Sequence, residues 1–230
     1  MPSSLVLRQN YIMLWATILS IMLDRFGINP IEIYQDFLLA QRIKSGFKMA
    51  AFKIGLICGS LRKGSINKAL EGALAKRLEA AGADANIIDL NDFELPLFHG
   101  DLKTPPKLAA LAQAMADCDG IIIISPEYNG GLPPLLKNAI DWTSTFGREH
   151  LDGPIYALAS CSPGPMSGIM VMRQINYILT RLHAELVPVQ LGCGNAETAF
   201  DNKGRLIAQP ASDLADKMIE QLLSRIAQKG

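Results

Sequence analysis

A run of four isoleucines, residues 121–124, constrains the fold of this chain more than any other feature. A short run of β-branched apolar residues, bounded by turn-forming residues, is typical of a parallel strand that is buried on both faces. The segment that follows, residues 125–131, contains one proline, one asparagine and two glycines, and we call it the second loop. Because open α/β sheets bind ligands at the carboxyl ends of their strands, the second loop is a candidate binding segment.

Strand and helix patterns alternate along residues 49–230, which we interpret as one domain. Apolar runs predict strands over residues 53–58, 86–90, 121–124, 155–159 and 185–191. Helical periodicity predicts helices over residues 67–80, 107–116, 133–145 and 168–183, and a last helix capped by Ser212 that ends near Ile226. This alternation predicts an α/β three-layer sandwich, with helices on both faces of a parallel sheet. Five strands favour the flavodoxin-like order 2-1-3-4-5 over the six-stranded dinucleotide-binding order.

Residues 1–48 differ in character from this domain. Residues 11–23 carry no charge, but the run is shorter than the roughly 20 residues that a membrane span needs. Asp24 and Arg25 follow it, without the small-residue cleavage site of a signal peptide. Met49 stands directly before the first predicted strand. We therefore expect residues 1–48 either to be an extension from a misassigned start or to form an amphipathic arm.

The composition excludes some classes of protein. The net charge is zero, whereas nucleic-acid-binding proteins usually carry a basic excess, so no nucleic-acid partner is expected. The four cysteines form no C-x-x-C pair and the three histidines are scattered, so no metal site is predicted. We interpret the cysteines as free thiols of a reducing compartment, and we expect a cytoplasmic protein without a membrane partner. The cysteines are Cys58, Cys118, Cys161 and Cys193.

The first loop, residues 59–67, follows the first predicted strand and is suited to an anion. Ser60, Ser65 and Asn67 offer hydroxyl and amide donors, and the planar guanidinium of Arg62 matches the oxygens of a phosphate. The predicted helix begins at the end of this loop, so its free backbone amides and the positive end of its dipole point into the loop. The sequence therefore predicts a phosphate site here, although an ordinary polar turn stays open as an alternative.

Two other phosphate-binding motifs are excluded by single residues. A P-loop requires lysine directly after its second glycine, but Ser65 follows Gly64. The dinucleotide fingerprint G-x-G-x-x-G is absent because Ser60 and Leu61 follow Gly59. Neither a nucleoside triphosphatase nor a Rossmann dehydrogenase is therefore expected.

The second loop has the chemistry to hold a flat ring. Pro126 stiffens the backbone and Tyr128 supplies an aromatic body, while the asparagine and glycines after it permit positive φ and close approach of the backbone. Such a loop presents backbone amides and carbonyls to the edge of a heteroaromatic ring. A third loop, residues 160–165, follows the fourth predicted strand, and its hydroxyls at Ser160 and Ser162 are candidates for the far edge of the ring.

Together these loops resemble those of the NADPH-dependent FMN reductases, a group that includes bacterial chromate, quinone and azo-dye reductases. The matching segments are GSLRKGSIN at residues 59–67, SPEYN at residues 125–129 and LKNAIDW at residues 136–142. The resemblance covers about residues 52–200. It implies a flavodoxin-like fold that binds FMN.

The residues of this chain that match the family's motifs are expected to make the family's contacts with FMN. The resemblance implies that the FMN phosphate is held by Ser60, Arg62, Ser65 and Asn67. It implies that the isoalloxazine ring is lined, mainly through the backbone, by Pro126, Glu127, Tyr128 and Asn129. Of the two serines of the third loop, we choose Ser160 as the residue near the ring. Gly131 and Pro134 replace the serine and glycine that are frequent in the family, which leaves the substrate preference open.

The activity that the resemblance implies is an FMN-dependent NAD(P)H oxidoreductase, with a quinone, azo compound, chromate or flavin as acceptor. The flavin carries the chemistry, so no catalytic side chain is expected, and His99 and His150 are expected in loops. A homodimer or homotetramer is implied, with the apolar helix over residues 133–145 as a candidate contact. A non-enzymatic flavodoxin-type electron carrier and a flavin-binding sensor stay open as alternatives. Arg62, Lys63 and the neutral net charge disfavour the carrier.

Overall fold

The computed structural model of the protein describes residues 51–229. The extension predicted for residues 1–48 and the domain start at Met49 lie outside the described residues and stay predictions. Within residues 51–229, no helix combines the length and the apolar character that a membrane crossing requires.

Strands and helices alternate along the described residues, as the sequence predicts. The strands are β1 (Lys53–Cys58), β2 (Asp84–Ile87), β3 (Gly120–Ile124), β4 (Ile155–Cys161), β5 (Glu185–Leu186) and β6 (Leu191–Cys193). The α-helices are α1 (Ile66–Ala80), α2 (Leu108–Ala116), α3 (Pro134–Thr143), α4 (Glu149–Asp152), α5 (Ile169–Arg181) and α6 (Ala211–Lys229). Short 3-10 turns span Leu90–Phe93 and Ala196–Thr198.

The sheet places the three predicted loops side by side. All its strand pairs are parallel, and its order is β2-β1-β3-β4-β5, with β6 also paired to β4. This confirms the predicted flavodoxin-like order. Cys58 of β1 pairs with Ile124 of β3, and Ile124 pairs with Ala159 of β4. The first and second loops follow Cys58 and Ile124 directly, and β4 continues past Ala159 to Cys161 before the third loop. All three loops therefore leave the same edge of the sheet next to one another.

The isoleucine run is buried on both sides, as predicted. Ile122 and Ile124 pack into the apolar core that the sheet forms with α1 and α6, while Ile121 and Ile123 pack into the core formed with α2, α3 and α5. None of the four is more than 2% exposed. Burial of one such side chain stabilises a fold by about 1.5–3 kcal/mol. Strand β3 therefore anchors the sheet to both of its helix layers.

The prediction of one continuous fifth strand over residues 185–191 is wrong. The structure has two short strands there, β5 and β6, and each pairs with β4. Pro188 lies between them and has no amide hydrogen to donate. The next amide, that of Val189, donates to Gln221 Oε1 of α6 at 3.3 Å rather than to β4. The proline divides the strand because it removes a donor from the ladder.

Several element boundaries also differ from the prediction. Strand β4 runs to Cys161, so Ser160 and Cys161, which were predicted in the third loop, lie in the strand. Strand β2 ends before Asp89, whose carboxylate accepts the amide of Asn91 at 3.0 Å and caps a 3-10 turn. Helix α6 begins one residue before Ser212, so this serine lies inside the first turn and does not cap it. The Ser212 hydroxyl instead accepts a bond from Arg77 Nη2 at 2.8 Å, which joins α6 to α1.

Helix α3 turns its apolar side chains toward the core. Trp142 is 3% exposed, and its indole Nε1 donates to the carbonyl oxygen of Pro96 at 2.6 Å. Its ring packs edge to face against Phe98, with 4.9 Å between the ring centroids. Lys137 and Ser144 are among the exposed residues of the helix and its carboxyl end. The apolar side of α3 is therefore already used within the subunit, which leaves little of it for the subunit contact predicted there.

His150 was expected in a loop, and this expectation is wrong. It lies in the short helix α4 and is 1% exposed. Neither ring nitrogen has a hydrogen-bond partner within residues 51–229. Burial lowers the pKa of His150, and the carboxylate of Glu149 opposes this only in part. Burial thus disfavours the protonated form of this imidazole.

This burial predicts a dependence of stability on pH. An unfolded histidine takes up a proton near its ordinary pKa of about 6.5, whereas the folded one resists it. The contribution of His150 is complete above that pH and is lost as the pH falls toward the lowered folded pKa. We expect His150→Phe to show a smaller loss of unfolding free energy between pH 7 and pH 5.5 than the parent protein, in urea titrations. His99→Gln, at an exposed histidine, serves as the control. Equal pH slopes in the parent and the His150 variant would contradict the prediction.

Candidate functional site

The site is built where the first loop meets the second. The amide of Gly59 donates to the carbonyl of Ile124 at 2.8 Å, and the amide of Ser125 donates to that of Ala159 at 3.0 Å. These bonds extend the parallel ladder into the loops. A side chain at position 59 would meet Pro133 at 3.1 Å and Leu136 at 3.3 Å, so glycine lets the first loop approach the start of α3.

The first loop presents backbone amides without partners. Ser65 is the N-cap of α1, and its hydroxyl accepts the amide of Lys68 at a long 3.4 Å. The amides of Ile66 and Asn67 donate to no other residue within the described part of the chain. The first amides of a helix carry part of its positive dipole and bind anions readily. The start of α1 is therefore available to an anion.

Arg62 supplies a cation beside these amides. It is exposed, and its Nη2 donates to the carbonyl of Gly64 at 3.3 Å. None of the ion pairs formed within residues 51–229 involves it. A guanidinium carries five N–H donors, so most of them are available to a ligand.

Lys68, in the first turn of the same helix, differs from Arg62 because it is balanced by carboxylates. Its Nζ lies 3.1 Å from Glu71 Oε2 and 3.4 Å from Asp89 Oδ2. Burial opposes the charge of Lys68, but Glu71 and Asp89 outweigh it and raise the pKa of the amine. Burial likewise raises the pKa of Glu71, and it raises that of the Cys58 thiol to about 11. The spacing of Lys68 and Glu71 on one helix face is a signal that sequence reasoning missed.

Asn67 has a role that the sequence did not indicate. Its side chain is 1% exposed, and its Nδ2 donates to the carbonyl of Cys161 at 2.8 Å. The amide of Cys161 donates back to Asn67 Oδ1 at 2.9 Å. This two-way pair ties the start of α1 to the end of β4, where the third loop begins. What Asn67 offers an anion is thus its backbone amide.

The second loop is a tight hairpin. Tyr128 and Gly131 exchange two backbone hydrogen bonds, of 3.0 and 2.9 Å. Asn129 and Gly130 between them have φ of 52° and 76°, the positive values that a type I′ turn requires. Tyr128 is 48% exposed at the surface, whereas Pro126 is buried. The Asn-Gly pair thus fixes the turn through its own backbone preferences.

Helix α5 holds this hairpin from outside. Glu127 Oε2 accepts the amides of Met170 and Val171 at 3.0 and 3.1 Å. The Gln174 side chain accepts a hydrogen bond from the amide of Leu132 at 3.0 Å. It also donates one to the carbonyl of Gly130, in the turn, at 3.0 Å. The role of Gln174 has no local signal in the sequence, because its partners lie more than 40 residues earlier in the chain.

Ser160 supports the second loop from inside the fold. It is fully buried, and its hydroxyl donates to the carbonyl of Ser125 at 2.7 Å. Ser162 is partly exposed, and its hydroxyl donates to the carbonyl of Gly164 within the third loop. The structure thus brings the predicted residues of all three loops to one edge of the sheet. Within residues 51–229, no group of three or more histidine, cysteine or acidic side chains is arranged to hold a metal ion.

Comparison with known proteins places this site in context. The family model described as NADPH-dependent FMN reductase matches residues 52–198. The chain is 31% identical over 163 residues to a 2-hydroxy-1,4-benzoquinone reductase of a Burkholderia species, an alignment that covers 69% of this chain and 87% of that protein. It is 33% identical over 132 residues to a quinone reductase of Escherichia coli (strain K12), covering 56% of this chain and 69% of that protein.

A solved structure has the same fold. FerB, described as a flavoenzyme NAD(P)H:(acceptor) oxidoreductase from Paracoccus denitrificans, superposes with a TM-score of 0.66 at 24% identity. The match covers 77% of this chain and 98% of that chain. The agreement extends over nearly the whole described domain.

Proposed function

The chain belongs to the NADPH-dependent FMN reductase family, and from this premise we propose that it is an FMN-dependent oxidoreductase that passes electrons from NAD(P)H to a quinone-type acceptor. The observation that carries the proposal is the start of α1, where the amides of Ile66 and Asn67 have no partner and Arg62 forms no ion pair within residues 51–229. FMN, when bound, supplies the acceptance of hydride and the release of electrons. The protein binds it, orients it and excludes water.

The phosphate of FMN fits the first loop. We assign it to Ser60, Arg62, Ser65 and the backbone amides at the start of α1. Helix amides and a guanidinium stabilise a phosphate by hydrogen bonding and by charge at once. Asn67 contributes its backbone amide and, through Cys161, positions the third loop.

The flat ring is assigned to the edge formed by the second and third loops. We assign Pro126, Glu127, Tyr128 and Asn129 to this side, with contacts mainly through the backbone. Ser160 acts from behind, since its hydroxyl fixes the carbonyl of the second loop. Backbone amides of the second loop would hold the polar edge of the ring by hydrogen bonds, as the donors of an oxyanion site do. No acid or base side chain is needed.

A homodimer is the assembly we propose, with α5 at its contact. Exposed apolar side chains gather on this helix and just before it: Met166 is 67% exposed, Met170 45% and Tyr177 70%. Such residues are enriched at interfaces between proteins. The same helix holds the second loop, so a partner subunit seated on it borders the ring side of the site. We further propose a cytoplasmic location, which the four buried free thiols support.

Binding and turnover together test the function. We expect the purified protein to quench the fluorescence of added FMN with saturation and to oxidise NADPH or NADH when a benzoquinone is supplied. An electron carrier or a sensor would bind FMN but show almost no steady-state oxidation. Absence of saturable FMN binding would contradict the proposal itself.

Arg62→Ala tests the phosphate contact. We expect its FMN dissociation constant to rise several-fold to about a hundredfold, because one charge-assisted contact of about 1–3 kcal/mol is lost. Its affinity for riboflavin, which lacks the phosphate, is expected to stay unchanged. Lys63→Ala, at the neighbouring exposed cation, is the matched control. Equal FMN affinity in the parent and Arg62→Ala, by fluorescence titration, would remove Arg62 from the site.

A further inference from the structure

Glu127 caps a helix that lies far from it in sequence. The N-cap of α5 is Gly168, which has no side chain to bond the first free amides, and the first turn contains no acidic residue. Glu127 Oε2 accepts two of these amides, those of Met170 and Val171, at 3.0 and 3.1 Å. A carboxylate at a helix start is stabilised by the dipole and by charge-assisted hydrogen bonds. The cap of α5 is therefore supplied by the second loop.

Gln174 forms the other half of this attachment, one turn further along α5. Its Oε1 accepts the amide of Leu132, and its Nε2 donates to the carbonyl of Gly130, each at 3.0 Å. Glu127 and Gln174 thus contact the two sides of the hairpin closed by Tyr128 and Gly131. Helix α5 therefore holds both sides of the turn, one side through its first amides and Glu127 and the other through Gln174.

From these contacts we infer that Glu127 and Gln174 are positioning residues, which fix the second loop on α5 in the shape that receives the flavin ring. This inference rests on the proposed function. Asn129 and Gly130 are exposed, and their turn is otherwise closed only by the hairpin's own backbone bonds within the described residues. A loop that is already ordered does not lose that conformational freedom when the ring binds. The side chains of Glu127 and Gln174 therefore act through the loop and not on the reacting atoms.

The same contacts distinguish α1 from α5, two of the helices that begin at this edge. The amides at the start of α5 are occupied by the carboxylate of Glu127, whereas those of Ile66 and Asn67 at the start of α1 have no partner within residues 51–229. The phosphate of a flavin is thus directed to α1, and its ring to the second loop. One acidic residue thereby fixes the loop and occupies the amides at the start of α5.

The test compares Glu127→Ala, Glu127→Gln and Gln174→Ala with Glu220→Ala, a control at an exposed carboxylate of α6. Dissociation constants for FMN and for riboflavin are measured by fluorescence quenching, at a temperature where circular dichroism shows every apoprotein folded. We expect Glu127→Ala to weaken both flavins about tenfold, the effect of one charge-assisted contact. Glu127→Gln is expected to restore most of the affinity, because its amide oxygen accepts the same two backbone amides. The control is expected to match the parent.

Each outcome decides between distinct conclusions. If the parent protein binds no FMN, the proposed function fails, and the inference fails with it. A second outcome is that the parent binds FMN, and that Glu127→Ala and Gln174→Ala bind FMN and riboflavin as tightly as the parent does. Only the inference is then overturned, even where the melting temperature of the apoprotein falls. If Glu127→Ala does not fold, Gln174→Ala decides, since Gln174 is an exposed residue of α5. A loss confined to FMN, with riboflavin unchanged, would assign Glu127 to the phosphate and also overturn the inference.

Discussion

A Gly168→Ala variant is expected to lose about 2–5 kcal/mol of its free energy of unfolding, from the strain of a left-handed backbone plus overpacking. Gly168 has a φ of 71°, which an L side chain adopts only at a cost. A β-carbon there would stand 1.9 Å from Ser160 Oγ and 2.6 Å from Ser160 Cβ. Ser160 is fully buried and bonded to the carbonyl of Ser125, so it has no free space to move into. Urea denaturation at neutral pH measures the loss.

The third loop provides the matched control for this substitution. Gly164→Ala places the new β-carbon where no heavy atom lies within 4 Å, and we expect a change below about 0.5 kcal/mol there. Ser160→Gly removes the clash but also the buried bond to the carbonyl of Ser125, so it is measured alone as well. The double variant is expected to lose less stability than the sum of the two single variants, because the clash is absent from it. Equal stability of the Gly164 and Gly168 variants would show that the backbone at Gly168 differs from the one described.

Asn67→Ala is expected to be the next most damaging change, with a loss of about 2–4 kcal/mol in the free energy of unfolding. The substitution leaves both the amide and the carbonyl of Cys161, at the buried end of β4, without their partner. Unsatisfied buried polar groups carry their full desolvation cost. Asn202→Ala, at an exposed turn, is the control and should match the parent in urea denaturation.

Flavin binding to the Asn67 variant separates two roles of this residue. If the side chain positions the third loop, Asn67→Ala weakens FMN and riboflavin by similar factors, at a temperature where the variant is folded. If the side chain instead bonds the phosphate, only FMN binding weakens. We expect the first result, because both polar groups of the side chain already bond Cys161. Loss of FMN binding alone would contradict this.

The parts of the fold that local sequence patterns encode were predictable. The isoleucine run identified the central strand, and the alternation of elements led to the strand order, since right-handed β–α–β units leave few topologies open. The division of the fifth strand at Pro188 was missed, because a pattern of apolar residues does not show that one amide donor is lost from the ladder. His150 was misplaced because a polar residue among loop-like neighbours gives no sign that the tertiary fold buries it.

The site divides in the same way. The first and second loops were recognisable from their glycines, hydroxyls and Asn-Gly turn, whose conformations depend on neighbouring residues. The contacts that hold those loops could not be recognised from local sequence. Asn67 bonds a residue 94 positions later, and Glu127 caps a helix more than 40 positions later. Only the three-dimensional arrangement of the strands brings such pairs together. The phosphate and ring contacts assigned to individual residues stay predictions until flavin binding is measured.

The divided strand at the end of the sheet also bears on solubility. A long, unbroken outer strand offers a row of free amides and carbonyls on which another chain can build an intermolecular sheet. Strand β5 is only two residues long and is soon followed by Pro188, while Gln221 occupies the amide of Val189. Little ladder is left for a foreign strand to extend. The proline that interrupts the pattern thus also protects this border against edge-to-edge aggregation.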